Sequence, residues 1–173
     1  KEPGRKIMKN TDKLLIAIVL GVVILVGVAF AIALTRPKPA YQSDKTPEGV
    51  AHNYLLAIQQ NDYERAYSYL SPTVPGYPSD LDKFIQDIER HSYYFKTGGE
   101  SVSLEILSSH VAANRATVKV RKTVFHQGDL FNSSERTSTF DVSLHYPSKS
   151  GEWKITDSDT YWVYCWNSSN GCR

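Results

Sequence analysis

The longest hydrophobic run in the chain extends from Leu14 to Leu34 and contains no charged residue, amide side chain or proline. At 1.5 Å per residue, a helix of this length is about 31 Å long, close to the roughly 30 Å hydrocarbon core of a bilayer. Helices buried in soluble proteins rarely stay apolar on every side for so long. The pattern therefore predicts one transmembrane helix over residues 14–34.

A cleaved signal peptide is the alternative interpretation of this run. Ala29-Phe30-Ala31 and Ala31-Ile32-Ala33 resemble the small-residue cleavage pattern of signal peptides. However, the run is longer than a typical signal-peptide core, and the small residues lie inside it. We therefore expect the helix to be retained as a membrane anchor.

A helical period of apolar residues follows between residues 46 and 91. Thr46-Pro47-Glu48 combines an N-cap residue, a proline suited to the first helical position and an acid near the positive end of the helix dipole. Apolar residues then recur at helical spacing to Ile58, and again over residues 63–70. Ser79-x-x-Asp82 resembles a capping box before a third stripe that ends near His91. The pattern predicts three helices.

Alternation of apolar and polar residues replaces the helical period after Ser101. The alternating segments are residues 102–107, 116–125, 138–146 and 153–166, the last with an interruption near residues 157–159. Three helices followed by at least four antiparallel strands indicate an α+β fold, in which the helices pack on one face of a curved sheet.

These patterns divide the chain into a basic stub at residues 1–13, the membrane helix at 14–34, a short linker at 35–45 and one folded domain at 46–173. Residues 1–40 carry seven Lys or Arg and two acids, whereas residues 41–173 carry thirteen and sixteen, so the net charges are +5 and −3. A mildly acidic domain lacks the basic surface that nucleic acids require, so we expect no nucleic-acid partner.

The positive charges around the membrane helix indicate its orientation. Three lie shortly after the helix, and five lie before it, at Lys1, Arg5, Lys6, Lys9 and Lys13. Because cytoplasmic flanks are enriched in Lys and Arg, the N-terminus is predicted to be cytoplasmic and the domain extracytoplasmic.

Cys165 and Cys172 are the only cysteines in the chain, and six residues separate them. A disulfide closing this loop would stabilise the protein by about 2.5 kcal/mol in the chain-entropy model, and it would persist only in an oxidising compartment. Two free thiols in a reducing compartment are the alternative. Two cysteines without a neighbouring histidine supply half of the ligands of a zinc site, so no metal is predicted.

Candidate acid–base residues are scattered along the chain, and no two histidines have the helical spacing of metal ligands. His52, Asp141 and His145 form the one set that could meet in a cavity. The sequence contains no phosphate-binding loop, dinucleotide-binding motif or nucleophile elbow. We therefore expect no catalytic residue and no cofactor.

Two clusters on the predicted strands are candidate contact surfaces. Lys119, Arg121 and Lys122 fit a solvated face or a protected sheet edge, with docking to an acidic partner or to lipid headgroups as the alternative. Residues 161–166 contain four aromatic side chains, and strand alternation would leave one set exposed. We predict that Tyr161, Trp162 and Trp166 contact a protein partner or the membrane.

Small residues in the membrane helix are spaced four apart, at Ala17 and Gly21 and at Gly27 and Ala31. This spacing allows another helix to approach closely. It predicts helix–helix packing within the membrane.

The sequence TPEGVAHNYLLAIQQNDYERAYSYLSP, residues 46–72, resembles the opening of the nuclear transport factor 2-like (cone-fold) superfamily, especially its bacterial membrane-anchored members. The matching positions are Asp62, Tyr63, Ala66, Tyr67, Leu70, Ser71 and Pro72. Residues 113–120 (ANRATVKV) and 151–155 (GEWKI) also resemble strands of that superfamily.

The resemblance implies a curved sheet wrapped around a long helix, which leaves a conical cavity. In enzymatic members, which are dehydratases and ketosteroid isomerases, this cavity holds a catalytic Asp with His or Tyr partners. No such set matches here, because Asp62 and Tyr63 are expected as a helix cap and a core aromatic. The superfamily also includes binding modules and assembly subunits.

The expected function is that of a membrane-anchored, non-catalytic accessory or assembly subunit, whose partners are the lipid bilayer and other subunits of a membrane complex. The first alternative is an extracytoplasmic domain that binds or senses a small ligand. The second is a cavity enzyme of the dehydratase or isomerase type.

Overall fold

The computed structural model describes residues 10–34, 39–95, 101–126, 134–147 and 151–172. The chain forms two compact units, Lys1–Pro39 and Ala40–Arg173, which are described separately. Most of the predicted basic stub and residues 35–38 of the predicted linker lie outside the described residues.

The first unit contains one helix, α1 (Asn10–Leu34). Its segment Lys13–Ile32 is long and apolar enough to cross a membrane, a character that a signal sequence near the N-terminus would share. None of this segment is buried inside the protein, and Leu25 and Phe30 are 70% and 68% exposed. α1 is therefore a candidate membrane span whose described apolar side chains are exposed.

The second unit begins with the helices α2 (Pro47–Gln60) and α3 (Tyr63–Ser68). As predicted, the Thr46 hydroxyl accepts a hydrogen bond from the Gly49 amide at the start of α2. Asn61, in the left-handed conformation, ends α2. The Asp62 carboxylate caps α3 by accepting from the Arg65 amide at 3.3 Å, as the family resemblance implied.

The third helix of this unit is α4 (Leu81–Arg90). Its cap is Asp80, whose Oδ1 accepts from the Lys83 amide at 2.8 Å, whereas the predicted cap Ser79 donates its hydroxyl to Asp80. The prediction was one residue early because an ionised carboxylate binds the free amides of a helix start more strongly than a hydroxyl does. These hydrogen bonds lower the pKa of the Asp80 carboxyl.

Four antiparallel strands form a single sheet in sequence order, which confirms the predicted α+β fold. They are β1 (Ser101–Ala112), β2 (Arg115–His126), β3 (Ser134–His145) and β4 (Lys154–Ser158). The register shifts between Ile106 and Ser108 and between Ser143 and Leu144. Irregularities of this kind bend a sheet and increase its twist.

The hydrophobic core lies between α2 and the inner face of the sheet. The buried strand residues alternate along β2 and β3 and are Ala116, Val118, Val120, Phe140, Val142 and Leu144. α2 lies against this face, and α3 contacts both α2 and α4. The Tyr54 hydroxyl donates to the carbonyl of Tyr161 at 2.6 Å, which ties α2 to the chain after β4.

Two of the segments that resemble the cone-fold superfamily meet at the edge of β4. The Ser71 amide donates to the carbonyl of Ile155 at 2.8 Å, and the Ile155 amide donates to the carbonyl of Tyr69 at the same distance. The chain after α3 therefore covers the outer edge of β4, which would otherwise expose unpaired backbone groups.

The final strand is much shorter than predicted. β4 ends at Ser158, Tyr161 has a positive φ of 59°, and residues Tyr164–Asn167 form a 3-10 helix. A left-handed residue cannot continue a strand, so alternation fails beyond this point. The prediction of one strand to Trp166 was therefore wrong.

Candidate functional site

A cleft of about 720 Å³ opens beside α3. Its walls are residues 44–45, α3 with its preceding residue Asp62, and residues 151–154. It has the size of a small-molecule site, and both acidic and basic side chains line it.

Asp44, Asp62 and Arg65, which line this cleft, each bind a neighbouring tyrosine. The Asp44 carboxylate accepts from the Tyr69 hydroxyl at 2.9 Å, and the Asp62 carboxylate accepts from the Tyr41 hydroxyl at 3.0 Å. The Arg65 guanidinium donates to the Tyr69 oxygen at 3.2 Å and lies 3.6 Å from the centre of the Tyr41 ring. Each of these groups already has a partner within the chain, so the network orders its own members.

Asn53, on α2, binds the chain segment that carries Asp44. Its side chain is fully buried on α2, accepts from the Gln42 amide at 2.7 Å and donates to the Gln42 carbonyl at 2.9 Å. It also donates to the Asp44 carboxylate. We call the group of Tyr41, Gln42, Asp44, Asn53, Asp62, Arg65 and Tyr69 the clasp.

The linker was predicted to span residues 35–45, but residues 41–44 are bound to the domain through the clasp. Sequence reasoning missed this because Asn53 occurs on a helix whose apolar stripe alone was used to assign the core. An amide among the buried positions of a helix was the available signal, since buried amides require partners.

The two clasp tyrosines remain protonated donors at neutral pH. Burial raises the pKa of Tyr41, and the hydrogen bond to Asp62 raises it further. Burial also raises the pKa of Tyr69, with a further contribution from Asp44. The cleft thus presents neutral hydroxyls and paired charges, which suits contact with a polar surface or ligand better than proton transfer at neutral pH.

The candidate acid–base set does not converge. The His52 ring binds the Ala40 carbonyl at 3.2 Å, and the His145 ring binds the Asn114 side chain at 2.9 Å. Asp141 lies on the outer face of the sheet, 3.5 Å from Lys119. Asp141 and His145 are also four residues apart on β3, about 13 Å along the strand. The structure thus brings none of the three together.

Aromatic side chains are buried in the interior of the domain. Tyr54, Tyr161 and Trp166 are buried, and the ring of Tyr161 lies 6.2 Å from that of Phe140. Burial raises the pKa of Tyr161 to about 12 and raises that of Tyr54 still more. These groups are therefore neutral over the whole physiological range.

The three predicted contact residues are part of this core. Tyr161, Trp162 and Trp166 are 2%, 4% and 0% exposed, so the prediction that they form an exposed contact surface is wrong. The turn at Tyr161 and the following 3-10 helix direct both tryptophans inward. In this segment, Tyr164 is the exposed aromatic, at 78%.

The predicted basic cluster separates onto the two faces of the sheet. Lys119 pairs with Asp141, and Arg121 pairs with Glu105 at 2.8 Å, both on the outer face. The Lys122 ammonium lies 5.0 Å from the centre of the Tyr161 ring, on the inner face. The outer pair fits the predicted solvated face, and the three cations do not form one patch.

Cys165 and Cys172 are joined by a disulfide, with their Cα atoms 5.1 Å apart. The structure also brings His91, which follows α4, close to both sulfurs. Sequence reasoning missed this neighbour because 74 positions separate His91 from Cys165 in the chain.

The small residues of α1 are exposed along the helix. A Cβ atom added to Gly21 or Gly27 would meet no atom within 4 Å. Packing among the described residues therefore does not require either glycine.

No protein-family model matches the sequence, and no curated protein sequence matches it. Solved structures do resemble it. A SEC-C motif containing protein from Rhodopseudomonas palustris is 16% identical, with a TM-score of 0.47, over 70% of this chain and 83% of that chain. A nuclear transport factor 2-like superfamily protein from Salmonella enterica is 15% identical, with a TM-score of 0.40, over 63% and 82%.

The association domain of CaMKII from C. elegans is 18% identical, with a TM-score of 0.39, over 63% of this chain and 87% of that chain. Proteins of the superfamily indicated by the sequence are thus among the similar structures, as the resemblance predicted. The similarity concerns the fold alone.

Proposed function

We propose that this chain is a membrane-anchored, non-catalytic accessory or assembly subunit of a larger membrane protein complex, with its α+β domain on the extracytoplasmic side. The observation that carries the proposal is α1, which is apolar on every side and has no buried residue in its candidate span. Such a surface requires the bilayer or other helices as its surroundings.

The small residues of α1 support helix packing in particular. At 100° per residue, Ala17, Gly21, Gly27 and Ala31 fall within an arc of about 120°. Because both glycines are open to approach, this face suits a neighbouring helix better than the opposite face, where Val22 and Val26 lie.

The domain supports a binding role over a catalytic one. Its candidate acid–base residues point to separate partners, and aromatic side chains fill its interior. In the sequence, six residues separate Leu34, the end of α1, from Tyr41, the first residue of the clasp. A domain tied so closely to its anchor is suited to contacting the exposed parts of neighbouring subunits.

The disulfide supports the proposed side of the membrane, because such bonds persist in oxidising compartments. The proposed orientation is tested by protease protection of a C-terminally tagged full chain in sealed inside-out and right-side-out vesicles. The tag should be cleaved from the outside of right-side-out vesicles only. Cleavage in inside-out vesicles alone would contradict the proposed orientation.

The assembly role can be tested with the full chain in native-host membranes. After extraction in a mild detergent, we expect the wild-type chain to migrate in a native gel within a larger assembly containing other proteins. The double variant Gly21→Leu/Gly27→Leu should leave that assembly, because the added side chains prevent close helix approach.

The matched control is Val22→Leu/Val26→Leu, which adds bulk to the opposite face of the same helix and should keep the assembly. A wild-type chain that migrates as a monomer in every detergent tested would contradict the proposed role. Equal behaviour of the two double variants would contradict the assigned face.

A further inference from the structure

The group formed by His91, Cys165 and Cys172 has the composition of a zinc site. One ring nitrogen of His91 and the two Sγ atoms all lie within 4.8 Å of one another. Two thiolates and an imidazole around tetrahedral zinc are about 3.6 to 3.8 Å apart, given the usual Zn–S and Zn–N bond lengths. The nitrogen already lies within 4.8 Å of both sulfurs, and after reduction the sulfurs would separate from their bonded distance to about 3.8 Å to become ligands.

The His91 ring is held by a hydrogen bond to the backbone, as in many zinc sites. Its Nδ1 donates to the backbone carbonyl of Asp87 at 2.9 Å, because a carbonyl can only accept. This leaves the lone pair of Nε2 available to a metal. A second-shell hydrogen bond of this kind is typical of histidine ligands, in which it selects the tautomer and holds the ring.

The loop that carries the cysteines is held by bonds other than the disulfide. The Gly76 amide donates to the carbonyl of Trp166 at 2.7 Å, and the Ser168 amide donates to the carbonyl of Cys165 at 3.1 Å. A Cβ atom at Gly76 would lie 2.6 Å from that Cys165 oxygen, so the two segments are in close contact. The two sulfurs should therefore stay near each other after reduction.

The Trp166 side chain adds a link between this loop and α4. Its indole Nε1 donates to the Asp87 carboxylate at 3.0 Å, and its ring stacks on Phe84 with centroids 5.3 Å apart. Asp87 thus holds the loop through its side chain and the His91 ring through its backbone. His91 and Cys165 are both partly exposed, so a reductant and an ion can reach the site.

We propose that His91, Cys165 and Cys172 form a redox-gated Zn²⁺ site. In the oxidised chain the sulfurs are bonded to each other and cannot act as thiolate ligands. A dithiol reductant supplies two electrons and two protons, so that the Cys165–Cys172 bond breaks, both cysteines become thiols and the reductant forms its own disulfide.

Zn²⁺ then displaces the two thiol protons and binds both thiolates and the imidazole, while water fills the fourth position. The proposal does not depend on whether the chain is a complex subunit. The site has an open coordination position, and in an oxidising compartment the disulfide keeps it closed to metal.

The test uses the purified full chain in detergent, with and without a phosphine reductant. The phosphine takes one oxygen atom from water, becomes a phosphine oxide and leaves both cysteines as thiols. Zinc binding is measured by competition with a chromophoric chelator and by metal analysis after desalting. We expect one zinc ion per reduced chain and none per oxidised chain.

Two variants test the proposed zinc ligands, and a third serves as the control. His91→Ala should weaken zinc binding by about a hundredfold or more, since loss of even a second-shell partner costs about 10- to 100-fold. Cys165→Ser/Cys172→Ser should abolish reductant-dependent binding. The control His110→Ala removes an exposed histidine on β1 and should bind zinc like the wild type.

Near-ultraviolet circular dichroism of the tryptophans reports whether the loop keeps its packing after reduction. A retained spectrum supports the proposal, and a lost spectrum overturns it. The proposal is also overturned if the reduced chain binds no more zinc than the oxidised chain. Unchanged affinity in His91→Ala would exclude the histidine ligand and overturn the site as assigned.

Discussion

The apolar residues of α1 and those of the domain differ in whether they are buried within the chain. Every apolar side chain described in Lys13–Ile32 is exposed, whereas the domain encloses a continuous core from Val50 to Trp166. The same tendency to leave water acts on both. The domain satisfies it within its own described residues, whereas no residue of the candidate span is buried inside the protein.

The remaining apolar surface of the domain reinforces this difference. Its large exposed hydrophobic residues among those described are Tyr93, Leu107, Val111, Phe125, Tyr146 and Tyr164. They are spread over several elements, and single exposed apolar residues are normal on soluble domains. Hydrophobic patterning therefore identifies which segments need apolar partners, and the structure shows which of those partners lie within the chain.

The largest expected effect comes from removing the central aromatic of the domain. Trp166→Ala should reduce the free energy of unfolding by about 3 to 5 kcal/mol, because it leaves a cavity beside Phe84 and removes one hydrogen-bond donor from the buried Asp87 carboxylate. The measurement is urea unfolding followed by circular dichroism.

Tyr164→Ala is the matched control, because that ring is 78% exposed only two residues away. Its effect should stay within about 0.5 kcal/mol. If both substitutions had the same effect, the assignment of Trp166 to the core would be wrong.

A smaller effect is expected in the clasp. Asn53→Ala leaves the backbone amide and carbonyl of Gln42 without their partner, and it should cost about 1 to 3 kcal/mol. It should also speed hydrogen exchange of the Gln42 amide. Gln59→Ala, an exposed change on the same helix, should affect neither. Unchanged exchange at Gln42 in Asn53→Ala would show that other contacts hold the segment.

The buried tyrosines predict a loss of domain stability at alkaline pH. Below pH 10, tyrosine is neutral in both the folded and the unfolded chain, so the buried tyrosines contribute fully to the free energy of unfolding. Above pH 10.0 the unfolded chain ionises, while burial keeps Tyr161 protonated until about pH 12. Stability should therefore fall as pH rises through this window.

Tyr161→Phe should reduce the slope of that loss, because one buried group no longer titrates. Tyr164→Phe, at an exposed position, should leave the slope unchanged. The measurement is the urea midpoint at successive pH values. A slope identical in the wild type and both variants would mean that Tyr161 ionises freely in the folded domain.

The smallest expected effect concerns α1. Gly21→Leu/Gly27→Leu should change the unfolding free energy of the domain by less than about 0.5 kcal/mol, because neither glycine has a neighbour within 4 Å of an added Cβ. Thermal unfolding of the full chain in detergent measures it. A marked shift would indicate that α1 packs on the domain, which would contradict the contrast drawn above.

Local signals were sufficient for much of the fold. Thr46 and Asp62 each cap a helix start through a hydrogen bond to the backbone amide three positions on, so local sequence was enough to predict their roles. Alternation along β2 and β3 likewise identified the buried face. The shift from Ser79 to Asp80 shows the limit of such signals where two capping residues are adjacent.

The candidate sites were harder to predict because they depend on contacts between distant positions. Asn53 binds residues 42–44 across the start of α2, and His91 approaches two cysteines from another part of the chain. Neither contact leaves a periodic trace in the sequence. The errors at Tyr161, Trp162 and Trp166 had a local cause, because a single left-handed residue ended the alternation on which the prediction relied.

The chemistry of neighbouring residues was enough to predict an apolar helix suited to a membrane, three capped helices and an alternating sheet. The burial of the aromatic C-terminal segment, the binding of residues 41–44 to the domain and the approach of His91 to the cysteine pair became visible only in the folded chain. Those outcomes depend on how folded elements pack, and packing joins residues that the sequence keeps far apart.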